Sequence, residues 1–79
     1  MEQKMGQKMM FTVQEAASLL GVSKDIAYEL IRAGLLVPLK FKSYRIAATE
    51  LDRFIEKWNG WDLSDPYNPV QLQLGGEAV

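Results

Sequence analysis

Apolar positions return every three or four residues in three stretches of the chain. Val13, Ala16, Ala17 and Leu20 make one helical face; Ala27, Leu30 and Ile31 make a second; Leu51, Phe54, Ile55 and Trp58 make a third. The punctuation between them agrees. Thr12 followed three residues later by Glu15 is a capping box, which satisfies free amides at a helix start. Phe11, just ahead, is placed to staple onto Ala16. These signals predict a first helix over Phe11 to Leu20, stopped by Gly21. Ser23 caps a second helix that ends at Gly34. Ala48 or Thr49 opens a third, with Glu50 and Asp52 in the first turn, where the helix dipole favours acids. Asn59-Gly60 stops it.

Only Gly21, Val22 and Ser23 separate the first two helices. Two short helices on so tight a turn, with small residues facing inward, form a helix-turn-helix pattern, although any helical hairpin shares that spacing. Between the second and third helices the pattern changes. Leu35-Leu36-Val37-Pro38-Leu39-Lys40-Phe41 is rich in strand formers, and Pro38 suits an edge. Lys42-Ser43 makes the turn and Tyr44-Arg45-Ile46 the returning strand. The expected fold is mainly α with a small β-hairpin: a winged helix-turn-helix of helix-turn-helix, two-stranded wing and third helix. Residues 1–10 read as a flexible N-terminal arm, 11–60 as the folded domain, and 61–79 as a mostly disordered acidic tail. The apolar residues Trp61, Tyr67, Val70, Leu72 and Leu74 leave two readings for that tail. Either the tryptophans cover the core and the rest is loose, or the segment orders on a partner.

Composition narrows the chemistry. The chain has 79 residues, enough for one small domain, and it has neither cysteine nor histidine. Disulfides, zinc clusters and thiol nucleophiles are excluded, and the commonest general base is missing. Glu50 and Asp52 are explained by the helix start, and there is no glycine-rich phosphate loop. No enzymatic activity, cofactor or metal is expected. No apolar run approaches the roughly 20 residues of a membrane span, so a cytoplasmic protein is expected. Net charge is −1 and unevenly spread: residues 1–60 hold nine bases against seven acids, and residues 61–79 hold three acids and no base. A near-neutral body can still bind nucleic acid if its bases share a face.

The segment Phe11 to Ile55 resembles the excisionase family, a branch of the MerR-like winged helix-turn-helix proteins. The matching residues are Phe11-Thr12-Val13-Gln14-Glu15-Ala16-Ala17, Leu20-Gly21-Val22-Ser23-Lys24, Tyr28-Glu29-Leu30-Ile31-Arg32-Ala33-Gly34, Arg45-Ile46 and Glu50-Leu51-Asp52-Arg53-Phe54-Ile55. The resemblance implies that the second helix enters the major groove of double-stranded DNA and the wing reaches the neighbouring minor groove or backbone. It also implies an architectural role. The protein bends DNA and helps a tyrosine recombinase (an integrase) excise a mobile element, in a bacterial or phage nucleoid setting. Self-association along DNA follows from weak binding by single copies. Small transcription regulators look similar, and so would a protein-interaction module that had given up DNA.

With Ala27, Leu30 and Ile31 turned inward, the second helix presents Lys24, Asp25, Tyr28, Glu29 and Arg32 outward. Ser23 caps the helix and leaves first-turn amides for a phosphate. Lys24 and Arg32 suit phosphates or a guanine edge. Tyr28 either bonds the backbone of DNA or lies over the first helix as core. In the wing, Lys40, Lys42 and Ser43 line the tip. Arg45 either grips phosphate or a narrow minor groove, or pairs with Glu50 or Asp52. Asp25 and Glu29 depart from the family pattern, since carboxylates on a reading face repel phosphate. Ile26 either meets a thymine methyl or packs.

Overall fold

The computed structural model describes residues 8–73. The elements run β1 (Met10–Thr12), α1 (Val13–Leu20), α2 (Lys24–Arg32), β2 (Leu39–Lys40), β3 (Tyr44–Ala47), α3 (Ala48–Trp58), β4 (Trp61–Asp62) and β5 (Val70–Gln71). This is the expected winged helix-turn-helix, with additions at both ends.

The capping box is fully formed. The Glu15 amide donates to Thr12 Oγ1 at 3.1 Å, and the Thr12 amide donates to Glu15 Oε1 at 2.9 Å. Gly21 takes φ 77°, and the Gly21 and Val22 amides donate to the Ser18 and Ala17 carbonyls. That left-handed cap turns the chain straight into Ser23, whose Oγ accepts from the Ile26 amide at 3.2 Å. Val13, Ala17 and Ala27 are buried together where the helices cross, and such side chains let the backbones approach closely.

The first helix begins at Val13, because Phe11 and Thr12 belong to a strand. β1 pairs antiparallel with β3, setting Phe11 opposite Ile46 and Thr12 opposite Arg45. The wing is therefore a three-stranded sheet in the order β1-β3-β2. Three residues with no alternating run gave no strand pattern; a partner far along the chain makes the strand. Part of the expected arm is engaged too. Met9 O accepts from the Ala48 amide, and Lys8 Nζ reaches Glu15 Oε2 at 2.7 Å. Residues 1–7 of the arm lie outside the described residues.

The strand expected over Leu35 to Phe41 is reduced to Leu39–Lys40. The Leu35 and Leu36 amides turn back to Leu30 O, so this stretch closes α2 instead of extending. The turn drives Leu36 into the core, where it and Ile46 are wholly buried among Ala16, Leu30, Leu51 and Phe54. α3 packs with Leu51 and Phe54, whereas Ile55 from the expected stripe is exposed.

The segment after Gly60 is not simply loose. β4 and β5 pair antiparallel, Trp61 with Gln71 and Asp62 with Val70, and Leu72 N donates to Gly60 O at 2.9 Å. Leu63 packs on the core, and Trp61 sits edge-on to Trp58 with centroids 5.3 Å apart. Residues 74–79, including Leu74, lie outside the described residues. Among the described residues, no helix is long and apolar enough to cross a membrane.

Candidate nucleic-acid interface

The N-terminus of α1, the outer face of α2 and the returning strand of the wing meet along one groove of about 370 Å³. Lys24 and Tyr28 enter it from α2, Ser43 and Arg45 from the wing, and Gln14 from α1. Four of the eight residues expected at the interface are thus brought together by elements distant in sequence. Tyr44 joins them from β3.

Arg45 is held by its own hairpin. One guanidinium nitrogen donates to Ser43 Oγ at 2.6 Å and to Tyr44 O at 3.1 Å. Neither partner is acidic. Neither pairing weighed for Arg45 forms: Glu50 is taken by Arg53 and by the Val37 amide, and Asp52 makes no ion pair with Arg45. Among the described residues, no acid answers the Arg45 charge at the groove.

Tyr28 divides between its two readings. Its ring is half-buried against Val13, Ala17 and Ala27 and tilts onto Tyr44 with centroids 6.5 Å apart, while its edge lines the groove. Tyr44 in turn carries Lys40, whose Nζ lies 5.1 Å from the ring centre. This cation–π contact places the Lys40 charge beside the groove. Lys42 is exposed at the tip. Ser23 acts as the cap of α2, as expected of its side chain.

Arg32 stands apart. It lies in the last turn of α2, and its guanidinium donates to Glu29 Oε2 at 2.8 Å. This bond holds the Glu29 carboxyl below its usual range and raises the already high Arg32 value, and the nearby Tyr67 hydroxyl acts in the same direction on both. The acid that seemed to spoil the reading face is thus largely answered by a base on the same helix. Ile26 lines a separate apolar cleft with Leu20, Val22 and Leu63, away from the groove.

Reasoning from sequence missed Gln14 and Tyr44. Gln14 is the second residue of α1, a position that only the docking of α1 beside the wing brings to the groove. Tyr44 carried a signal, since an aromatic two residues before the buried Ile46 falls on the same strand face.

A helix-turn-helix joined through an antiparallel wing to a third helix defines a winged helix-turn-helix protein. The family model described as "Helix-turn-helix domain" matches residues 10–59, from the first residue of β1 to the cap of α3, and the chain belongs to that family. Its helix-turn-helix is of the DNA-binding kind. No curated protein and no solved structure is significantly similar to the chain.

Proposed function

We propose that this protein is an excisionase-type accessory factor, which binds and bends double-stranded DNA so that a tyrosine recombinase can excise a mobile element. The observation that carries the reading is the convergence of Lys24, Tyr28, Ser43 and Arg45 in one groove between α2 and the wing. In the proposed pose, α2 lies in the major groove, with its Ser23-capped first turn toward a phosphate. The wing carries Arg45, Lys42 and Lys40 over the backbone toward the minor groove. Arg32 binds a phosphate at the far end of α2 once it exchanges Glu29 for DNA. The chemistry is positional: no bond is broken, and the product is a bent duplex with two recombinase sites held near each other. Copies bound side by side would reinforce one another.

The resemblance of Phe11 to Ile55 to excisionases supports this reading, and a transcription regulator on the same fold shares it. The helix-turn-helix family that the chain belongs to includes excisionase-like proteins. A protein-interaction module without DNA draws its support from Asp25, which is exposed on the same helix.

Two measurements test the proposal in order. A salt titration of duplex binding should show affinity falling steeply as salt rises, because bound phosphates release counterions. A flat titration would remove the DNA reading. Excision of a mobile element by its own integrase, measured with and without the protein, should rise on its addition. Unchanged excision with intact DNA binding would leave the regulator.

A further inference from the structure

Among the described residues, the most exposed large apolar side chain is Phe41, at 73%. It sits at the tip of the wing between Lys40 and Lys42, where a hairpin that met only water would carry a polar residue. Its backbone is fixed. The Phe41 amide donates to Ser43 O at 3.2 Å, and the Ser43 side chain is tied to Arg45. The ring therefore projects from a braced turn, on the same hairpin that supplies Ser43 and Arg45 to the groove. Neither flanking lysine pairs with an acid among the described residues.

We propose that Phe41 is a DNA wedge: its ring enters the minor groove and inserts between two stacked base pairs, while Lys40 and Lys42 hold phosphates on either side. The inference rests on the DNA-binding reading and supplies the means of bending, because a wedged step unstacks and kinks the duplex toward the major groove. It also assigns a ligand preference. Pyrimidine–purine steps unstack most easily, so a TA or CA step belongs beneath the tip. Val37 and Leu39, on the same edge, are also exposed, and a protein strand is the competing occupant. The cations around Phe41 and its bracing to Arg45 favour DNA.

The test uses the full chain and a duplex of about 30 base pairs, long enough for one docked domain plus flanks. Its central TA step carries 2-aminopurine and its ends carry a fluorescence-transfer pair. At low salt, saturating protein should raise 2-aminopurine emission and bring the ends closer. Phe41→Ala should bind within about fivefold of the parent, since the phosphate contacts remain, and should lose both signals. Phe41→Leu should keep part of each. Equal melting temperatures for parent and variants would show that no loss comes from unfolding. Equal emission and end-to-end distance for the parent and Phe41→Ala would overturn the wedge. So would a Phe41→Ala variant whose DNA signals are intact while a self-association seen by sedimentation disappears. No binding of the parent to any duplex would sink the DNA reading itself, and the wedge with it.

Discussion

Three arginines on this small surface are used in three ways, and what each one faces decides its worth. Among the described residues Arg45 meets only neutral oxygens, which leaves its charge unanswered by an acid there. Arg45→Ala should cost about 1–3 kcal/mol of duplex affinity, and Arg45→Lys should recover only part because the planar fork is lost. Binding isotherms at fixed low salt measure both, and an unchanged Arg45→Ala would place the contact elsewhere. Arg32 is held by Glu29. Glu29→Gln should release it, remove a carboxylate from the reading face and tighten non-specific binding by about threefold to tenfold. Weaker binding would mean that Glu29 accepts a bond from a base. Arg53 belongs to stability, with its bonds to Glu50 and to Leu35 O tying α3 to the end of α2. The Arg53 guanidinium, helped by the Val37 amide, holds the Glu50 carboxyl below its ordinary value of 4.5. A lowered folded pKa means that the stabilisation is complete above pH 4.5 and is lost as pH falls through the folded value. Glu50→Gln should cost about 1–3 kcal/mol near neutrality and flatten the acid limb. Urea midpoints at about pH 7 and about pH 3 check this, and an unaltered acid limb would refute it.

At the scale of elements, what was legible in the sequence is what local chemistry decides. The capping box of Thr12 and Glu15, the left-handed stop at Gly21 and the Ser23 cap all appear where the residues place them, because each is closed by neighbours within three or four positions. The helix-turn-helix geometry follows, and the meeting of Lys24 with Tyr28 follows from helical spacing. What the sequence hid depends on distant partners. β1 exists only because Met10 to Thr12 lie along β3, and Leu36 looks like a strand residue until the bonds to Leu30 O curl it under α2. Gln14 entered the groove for the same reason. The Gly21 turn gives the sharpest test of the local part. An added Cβ at Gly21 would meet no atom within 4 Å, so Gly21→Ala should be penalised by backbone conformation alone. The expected loss is about 1–2 kcal/mol, the cost of an L-residue in the left-handed region. A chemical denaturation curve with an unchanged slope and lowered midpoint would report it. A loss far beyond that would mean the turn sets the angle between α1 and α2 more widely than its own backbone.

On the scale of the whole molecule, the proposed groove and the cover of the core lie in different parts, and Tyr67 beside Glu29 and Arg32 is where the segment after Gly60 comes near α2. The groove residues Lys24, Tyr28, Ser43 and Arg45 all come from α2, the wing tip and β3, while the segment after Gly60 sets Leu63 on the core and Trp61 edge-on to Trp58. Trp61 and Leu63, with Leu72, close a cleft over Leu20, Val22, Leu30 and Phe54. A domain this small buries only about 60% of its unfolded surface, so a cover of this kind matters. Ending the chain at Gly60 would bare that apolar floor and should lower stability by about 2–4 kcal/mol, the worth of one or two partly buried large side chains. The truncation also removes three acids and no base. Where the shortened protein is still folded, its duplex affinity should therefore equal or slightly exceed that of the full chain, most visibly at low salt. Thermal melting read beside a binding isotherm separates the two effects, and Leu63→Ala offers a milder version should the truncation not fold. If Leu63→Ala left melting unchanged but weakened DNA binding, the hairpin would be part of the interface instead of its support.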